Sequence, residues 1–439
     1  MNSLPRIAKV SAPLALMKPA RLLVAVGTFS FCSMLHGSAA AQPAAGTVGK
    51  GVKPEGPTTP EMLAAMNRLN EAGPVPGRPG SLTFFRWNGA KPPALAHLGL
   101  WGPKIDNDLL ALTATMPTLE VVSLYETSIT DDGIRSLATL PRLRSLAVLP
   151  IERYEKAGFG PPQWSYPFME RRAGRPRLTG QALRHLAGVT TLESLELLDA
   201  DLQPADLAVL KSWPKLGAVA LPNVVDEETV RHLQACRRLN QLTLGGRDIA
   251  AKELERLAGW RALKKLTLTH ARLGEETLAA LAKLETVQTV ELIACGLTDD
   301  DLRHLRLPPQ LTELDLPRNE INGPGLAHLA QLKVSALGLE FNNLHDDTLS
   351  HLPQLVNVEQ LGLSYCVGVT DRGIQRGALQ RMPQLKRLAL RGLKQVTDAS
   401  LDELAKLTRL EHINIRQNGI TEAGCDRLRQ AMPKTVVFK

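Results

Sequence analysis

Apolar residues recur along this chain at a spacing that fits neither a plain strand nor a plain helix. In residues 311–332, LTELDLPRNEINGPGLAHLAQL, the positions Leu311, Leu314, Leu316 and Ile321 stand at offsets of 0, 3, 5 and 10. The pattern LxxLxL returns in steps of 23 to 27 residues, with a single step of 49, and its copies begin at Leu95, Leu119, Leu143, Leu192, Leu216, Leu239, Leu263, Val287, Leu311, Val334, Val358, Leu385 and Leu410. A fixed period of this length is typical of stacked supersecondary units. The sequence therefore predicts a solenoid of about thirteen repeats over residues 95–434.

Each repeat joins a strand pattern to a helix pattern. In TVQTVELIACGLTDDDLRHLRLPP (286–309), Val290 and Leu292 alternate with Thr289 and Glu291, which predicts a strand with one buried face. Thr298, followed by the acids 299–301, predicts a helix N-terminus, with the carboxylates near the positive end of the helix dipole. The three acids also resemble a calcium loop superficially, but helix capping is the interpretation adopted.

The ninth position of the repeat holds small hydrogen-bonding side chains. We expect them to satisfy backbone groups where the strand turns away, since buried backbone groups need partners. The residues at this position are Thr127, Cys295, Asn319, Asn342, Cys366 and Asn418.

The combined pattern LxxLxLxxCxxLTDxxLxxL, read from Val287 through Leu305 and again from Val358, resembles the cysteine-containing class of leucine-rich repeat. That class is familiar from F-box leucine-rich-repeat proteins and secreted bacterial relatives. The resemblance implies an α/β solenoid, a horseshoe with a concave parallel β-sheet and convex helices. The resemblance is confined to the repeats, because no F-box precedes them. Within the repeats, the ninth position is cysteine in only two copies.

Residues 1–41 have the pattern of a signal peptide, with Met17 as an alternative start. An apolar run from Leu22 to Leu35 follows basic residues, and Ala39-Ala40-Ala41 offers a cleavage site before Gln42. An uncleaved anchor is the alternative. The sequence thus predicts an exported protein, periplasmic, in the cell envelope or extracellular, with no membrane span after cleavage.

The segments around the repeats have separate predicted roles. Residues 42–58, rich in Gly, Pro, Ala and Lys, indicate a flexible linker. Residues 59–94 should form an N-terminal cap, a helix followed by the edge strand LTFFRW (82–87). Residues 435–439, one period after Leu410, should add a C-terminal capping strand.

Net charge argues against one class of partner. The formal charge is +8, and removal of residues 1–41, which hold Arg6, Lys9, Lys18 and Arg21 but no acid, lowers it to +4. Nucleic-acid binding requires a concentrated basic stripe. We therefore expect no nucleic-acid partner.

Four cysteines follow the signal segment: Cys236, Cys295, Cys366 and Cys425. An even count in an exported chain is typical of disulfides. Neighbouring repeats stack about 4.8 Å apart, each cysteine lies at least two repeats from the next, and a disulfide requires Cα atoms within about 7 Å. The spacing therefore predicts four free, buried thiols.

The sequence contains no nucleophile elbow, phosphate loop, dinucleotide fingerprint or HExxH motif. A column of histidines at equivalent helix positions is the best lead for a metal site: His185, His232, His304, His328 and His351. Repetition of a consensus position explains it more simply. We therefore predict a protein that is not an enzyme, with no metal and no cofactor.

Offsets of 2, 4 and 6 from the first leucine should point into the concavity, where successive repeats build one surface. Aromatic side chains come first, then a mainly acidic zone, then a basic zone: Trp101 and Tyr125; Lys265, Glu291, Glu313, Asp315 and Glu340; Arg387, Arg391, His412 and Arg416. These charges either bind a partner or merely solvate the sheet and pair with one another, as Lys265 would with Glu291.

The step of 49 marks an insertion, PIERYEKAGFGPPQWSYPFMERRAGRP (150–176), which interrupts the third copy of the repeat just after its strand. It holds five of the seventeen aromatic residues: Tyr154, Phe159, Trp164, Tyr166 and Phe168. Long loops within regular arrays are commonly functional, and binding surfaces are enriched in aromatic residues. The loop either contacts a partner beside Trp101 and Tyr125 or folds back on the scaffold.

These patterns predict an exported, monomeric scaffold that binds a protein partner through its concave face and the insertion. Binding of a glycan or another cell-envelope ligand is one alternative, because aromatic rings stack on sugars. A purely structural spacer is the other.

Overall fold

The alternating leucines of each repeat form a strand, and the strands build one sheet. The structure is a computed structural model that describes residues 84–87, 95–101, 104–125, 127–149, 177–198, 200–222, 226–245, 248–330 and 332–439. The signal segment, the linker, most of the N-terminal cap and the insertion 150–176 lie outside these residues.

Within the described residues the sheet has 15 strands that follow one another in chain order. Strand β1 is antiparallel to β2, and β2 to β15 are parallel. The strands are β1 (Phe84–Trp87), β2 (Leu95–Trp101), β3 (Val121–Tyr125), β4 (Ser145–Leu149), β5 (Ser194–Glu196), β6 (Ala218–Leu221), β7 (Gln241–Gly245), β8 (Lys265–Thr269), β9 (Thr289–Ile293), β10 (Glu313–Asp315), β11 (Ala336–Gly338), β12 (Gln360–Gly362), β13 (Arg387–Ala389), β14 (His412–Asn414) and β15 (Val436–Phe438).

Short helices connect the strands on one side of the sheet. The α-helices are α1 (Asn107–Ala111), α2 (Asp131–Ile134), α3 (Gly180–Leu186), α4 (Glu227–Gln234), α5 (Ala251–Leu257), α6 (Glu275–Ala280), α7 (Asp371–Gln375), α8 (Leu401–Ala405) and α9 (Glu422–Ala431). The 3-10 helices span Leu112–Thr115, Arg135–Thr139, Pro204–Ser212, Leu281–Lys283, Asp301–Arg303, Pro324–Leu329, Thr348–Gln354, Leu379–Arg381 and Asp398–Ser400. None of the helices in these described segments has the length and apolarity needed to cross a membrane.

Equivalent apolar side chains stack between the sheet and the helices. The residue three positions after the first of each LxxLxL copy is at most 2% exposed in every repeat: Leu98, Val122, Leu146, Leu195, Val219, Leu242, Leu266, Val290, Leu314, Leu337, Leu361, Leu388 and Ile413. Burial of such a side chain contributes about 1.5–3 kcal/mol. The predicted α/β leucine-rich-repeat solenoid, with a parallel sheet and helices on its other side, is confirmed.

The insertion does not interrupt this stack. Strand β4, which precedes it, pairs in parallel with β5, and Ser145 lies opposite Ser194. The Asp131 carboxylate accepts hydrogen bonds from the Thr179 backbone N–H at 2.8 Å and hydroxyl at 2.6 Å. The repeats on either side of residues 150–176 therefore keep the same register.

Asparagine at the ninth position connects neighbouring repeats. Asn319 Nδ2 donates to the carbonyl oxygens of Leu292 (2.8 Å) and Leu316 (3.0 Å), and its Oδ1 accepts the Cys295 N–H at 2.9 Å. Asn342 repeats the arrangement one period later, with Nδ2 donating to Leu316 O at 2.8 Å. The predicted role is confirmed for Asn319 and Asn342, where it extends to the backbone of the preceding repeat. Asn418 instead accepts the Ile420 N–H of its own repeat at 3.1 Å.

The acids at the helix starts also act between repeats. Asp371 accepts the Thr397 N–H at 2.8 Å, and Asp398 accepts the Thr421 N–H at 2.8 Å, each one repeat further along. Thr421 caps its own helix α9, because its hydroxyl accepts the Gly424 N–H at 2.9 Å. Each aspartate thus holds the threonine cap of the next repeat in place.

The predicted N-cap at Thr298 is wrong. This repeat has a single 3-10 turn, Asp301–Arg303, and the Thr298 N–H donates to the Asp301 carboxylate at 2.8 Å. Asp299 instead accepts the N–H groups of Gly323 and Gly325 in the following repeat, at 3.0 and 2.7 Å. Because the Asp299 carboxylate binds the neighbouring repeat, it does not cap the helical turn of its own repeat.

Cys236, Cys295, Cys366 and Cys425 are free thiols, and all four are buried. Burial raises the pKa of Cys295 and of Cys366 to about 12. The Cys366 Sγ–H donates to the Leu339 carbonyl oxygen at 3.1 Å. These two thiols are therefore held protonated, bound to the backbone of the array.

We expect Asn319→Ala to lower the free energy of unfolding by about 3 kcal/mol, because it leaves several buried backbone groups without partners. Urea unfolding followed by circular dichroism measures this change. The control, Asn343→Ala, alters an exposed asparagine in the next repeat and should change stability by less than about 0.5 kcal/mol. Equal unfolding midpoints for the two variants would show that Asn319 does not hold the repeats together.

Candidate functional site

The second face of the sheet is not covered by the helices and carries the side chains at offsets 2, 4 and 6 of each repeat. We call it the open face. Adjacent strands are in register, so equivalent residues lie side by side, as Thr289 does beside Glu313 and Glu291 beside Asp315. Every repeat therefore adds three positions to one continuous surface, some of which are glycine, such as Gly338 and Gly362.

The structure brings the predicted acidic zone together on β8 to β11. Lys265 Nζ lies 2.6 Å from Glu291 Oε1, which confirms the expected ion pair, and the Thr267 hydroxyl donates to Glu291 Oε2 at 2.7 Å. The Thr289 hydroxyl donates to Glu313 Oε2 at 3.2 Å. The zone has more carboxylates than cations, since Lys265 is the only cation predicted within it.

The expectation that these positions are exposed is wrong for three of them. Glu291, Asp315 and Glu340 are 0%, 2% and 4% exposed. The sheet places neighbouring open-face positions about 5 Å apart, so these side chains pack against one another. Glu291 contacts Lys265 and Thr267, and Glu340 meets Asp315 above Gly338. These carboxylates are therefore part of a packed surface, and simple solvation of the sheet does not describe them.

Glu340 has the least compensated of these carboxylates. Its Oε1 is buried and has no hydrogen-bond partner. A Cβ at Gly338 would lie 2.9 Å from Glu340 Oε2 and would overlap Asp315 Oδ1. The two carboxylates thus converge over a residue without a side chain. Burial, together with the negative charge of Glu313, raises the pKa of Glu340 to about 7.

The basic zone lies beyond β12, on and after β13 and β14. The Arg391 guanidinium lies 5.7 Å from the centre of the Tyr365 ring, and its Nε donates to Gln417 Oε1 at 3.1 Å. Arg416 lies over the Phe438 ring at 5.9 Å, and His412 stacks on that ring at 6.1 Å. Arg387, the first residue of β13, is half-buried. The predicted basic zone is therefore contiguous on the open face.

At the other end of the sheet, the backbone places Trp101 directly opposite Tyr125, and Tyr125 opposite Leu149. Leu149 is the last described residue before the insertion; it lies beside Tyr125, and Trp101 lies one strand further away. The structure describes only the backbone of Trp101 and Tyr125. The five aromatic residues of the insertion, Tyr154, Phe159, Trp164, Tyr166 and Phe168, lie outside the described residues.

Sequence reasoning missed Glu196, although it occupies offset 4 of its repeat. Glu196 is 8% exposed and borders a shallow depression that is open to solvent. Ala218 and Ala220 leave this space on β6, and Lys265 borders it on β8. Burial raises the pKa of Glu196 to about 8, and the charge of Lys265 offsets part of the increase. Inspection of offsets 2, 4 and 6 in every repeat would have identified Glu196 from the sequence.

A second missed feature is a row of residues along the edge of the open face, seven positions after the start of each repeat from β8 to β14. Non-glycine residues there have left-handed backbones with φ between 51° and 60°, a conformation unfavourable for such residues. The row consists of His270, Ala294, Arg318, Phe341, Tyr365 and Gln417, with Gly392 at the same position.

Several of these side chains stack. The Phe341 and Tyr365 rings are 4.5 Å apart with an angle of 8° between their planes, and Arg318 lies 4.8 Å from the Phe341 centre. A Cβ at Gly392 would overlap the Tyr365 ring, so this glycine lets the Tyr365 hydroxyl reach Gln417 Oε1 at 2.6 Å. Aromatic residues at this position in two successive copies were the available signal.

The histidine column lies on the helix side. His304 Nδ1 is 2.9 Å from Glu275 Oε1, and His232 Nε2 is 3.6 Å from Glu228 Oε1, so these two histidines have separate partners. In the part of the chain that the structure describes, no group of three or more His, Cys, Asp and Glu residues is arranged to hold a metal ion.

Comparison with known proteins gives limited overlap. No protein-family model matches the chain. It is 32% identical to Podocan-like protein 1 of Homo sapiens over 192 residues, 42% of this chain and 36% of the human protein, so it spans little more than a third of that relative.

Two solved structures illustrate the structural similarity. A chain of the yeast Rad7 and Elc1 complex is 17% identical with a TM-score of 0.42, over 76% of this chain and 84% of that one. An internalin from Listeria monocytogenes is 19% identical with a TM-score of 0.37, over 74% of this chain and 82% of that one. The fold assignment rests on the repeats and the sheet described above.

We expect the free energy of unfolding to fall as the pH rises from about 5 to 8, because folded Glu340 and Glu196 retain protons that the unfolded chain releases. With its pKa raised from 4.5 to about 7, Glu340 contributes on the order of 3 kcal/mol, present at low pH and lost as the pH rises through the folded pKa. Urea unfolding at a series of pH values measures the slope.

The Glu340→Gln variant should have a shallower slope and be more stable than the original chain at high pH. Glu320→Gln, which alters an exposed acid beyond β10, is the control and should keep the original slope. A slope that is unchanged in Glu340→Gln would contradict the raised pKa.

Proposed function

We propose that this leucine-rich-repeat chain is an exported, non-enzymatic scaffold that binds a protein partner through its open face. The insertion 150–176 provides a second contact beside Trp101 and Tyr125. The structure describes the open face, whereas the signal peptide and the insertion are interpreted from the sequence.

The observation that carries the proposal is the burial of incompletely compensated carboxylates on the open face. Glu340 and Glu196 are 4% and 8% exposed, and burial raises the pKa of both. A buried acid without an opposite charge costs stability, and such groups are concentrated at functional sites. A scaffold with only a structural role would be more stable with apolar or neutral residues at these positions.

The arrangement of charge supports a macromolecular partner. The acidic residues of β9 and β10, with Glu340 after β11, and the arginines at 387, 391 and 416 lie on one face of the sheet. Complementary zones of this kind set the orientation and the rate of association between proteins. A partner with the opposite arrangement of charge would therefore bind in one orientation.

Crosslinking in the native cell envelope, followed by mass spectrometry, tests the proposal. The original chain should crosslink to one protein reproducibly, and Arg391→Glu should reduce capture about tenfold because it reverses a charge within the basic zone. Replacement of residues 150–176 by a Gly-Ser linker should also abolish capture. The matched control is Arg372→Glu, which reverses an exposed charge on helix α7.

The alternatives give different results in the same experiment. Capture that survives both changes indicates a spacer. Competition by soluble envelope polysaccharide indicates a glycan ligand. Circular dichroism of each variant must match that of the original chain, so that loss of capture reports the surface and not the fold.

Export is tested separately. We expect the exported protein to begin at Gln42, and we expect bulky residues at Ala39 and Ala41 to block processing, because small side chains are required before the cleavage site. N-terminal sequencing of envelope and extracellular fractions measures both. A product that retains residues 17–41 would favour an uncleaved anchor.

A further inference from the structure

The depression beside Glu196 is a part of the open face that remains accessible to solvent. It extends from β5 to β8, and its floor on β6 consists of two small side chains, Ala218 and Ala220. Four of the residues that line it are half-exposed: Ala218, Gln241, Thr243 and Lys265. A group from outside the chain can therefore enter the depression.

Glu196 places an unpaired carboxylate at the side of this depression. It is 8% exposed, and no hydrogen bond from a described residue reaches its carboxylate. Unlike Glu340 Oε1, which is closed to solvent, the Glu196 oxygens keep contact with solvent. Buried acceptors normally have hydrogen-bond partners. This acceptor has none within the described chain and is open to a donor from a ligand.

Lys265 does not provide that donor. Its Nζ lies 2.6 Å from Glu291 Oε1 on β9, on the side of β8 that faces away from the depression. Strands β5 and β8 are three strand spacings apart, about 14 Å. Burial therefore raises the pKa of Glu196 to about 8, and the charge of Lys265 offsets only part of the increase. A nearer cation is needed for Glu196 to ionise at neutral pH.

The size of the depression distinguishes between the cations that proteins offer. The centre of a water-sized group has about 20 Å³ available there, and one water molecule requires about 10–15 Å³. The ammonium group of lysine is compact and donates three hydrogen bonds, whereas the guanidinium of arginine is a larger planar group. The methylene chain of a lysine also packs well on apolar side chains such as Ala218 and Ala220.

We propose that the depression receives the ammonium group of a lysine of the protein partner, with the Glu196 carboxylate as its acceptor and the two alanines beneath its methylene chain. This inference rests on the proposed function, because it assigns one contact of that partner on the open face. The ammonium group converts Glu196 to its ionised form, since a nearby opposite charge favours ionisation.

Carbodiimide crosslinking of the full chain in the native cell envelope tests the inference. Carbodiimide joins a carboxylate directly to an amine that is in contact with it, and it adds no spacer. Digestion and mass spectrometry should identify an amide between Glu196 and a lysine of the captured protein. Arginine does not form this product, so the amide identifies the group in the depression.

Two variants test the charge and the space separately, with capture measured by an amine-reactive crosslinker that does not use Glu196. Glu196→Gln keeps the size of the side chain and should lower capture about tenfold, because it removes a hydrogen bond to a charged acceptor. Ala218→Leu keeps the carboxylate, fills the depression and should lower capture to a similar extent. Glu320→Gln, at an exposed acid beyond β10, is the control and should leave capture unchanged.

The outcomes separate this inference from the proposed function. Unchanged capture in Glu196→Gln and Ala218→Leu, or an amide between Glu196 and Lys265 of the same chain, would overturn the inference. Reduced capture in both variants without an amide at Glu196 would also overturn it and would indicate a guanidinium. Capture that still depends on Arg391 leaves the proposed function standing in each of these cases. If the original chain captures no protein, the proposed function fails as well.

Discussion

Stacking of equivalent leucines from neighbouring repeats is the interaction on which the rest of the structure depends. A single repeat cannot bury Leu314 or Leu361 by itself, so each repeat is stable only between two others. The apolar stack also fixes the register of the strands, which in turn places side chains separated by about 24 residues next to one another. All contacts on the open face follow from that register.

Polar side chains extend the same dependence. Asn319 binds backbone groups of the preceding repeat, and Asp371 binds a backbone N–H of the following repeat. These bonds provide buried backbone groups with partners that neither repeat has internally. They also explain why the insertion 150–176 is tolerated, since Asp131 and Thr179 make the same kind of bond across it. The array therefore continues in register from β4 to β5.

The open face departs from the composition that stability alone favours. The apolar side of the sheet is packed with leucine and valine, whereas the middle of the open face includes Glu196, Glu291 and Asp315, all buried. Glu291 has Lys265 and Thr267 as partners, but Glu340 has an unpaired oxygen and a raised pKa. The stacked Phe341 and Tyr365, with left-handed backbones, are another unfavourable feature at the same edge. Unfavourable features close to one surface are what a binding site adds to a scaffold.

The sequence by itself determined the period, the strand in each repeat, the apolar stack and the small polar residue at the ninth position. Each of these depends on residues within one repeat, and alternation and spacing are visible along the chain. Only the tertiary structure decided that Glu291, Asp315 and Glu340 are buried, that Asp299 binds the next repeat, that Thr298 does not cap a helix, and that Tyr365 stacks on Phe341. These facts depend on which side chains of adjacent repeats occupy the same space. The stacked sheet sets the distances between side chains of neighbouring repeats. Those distances cannot be derived from the residue pattern within a single repeat.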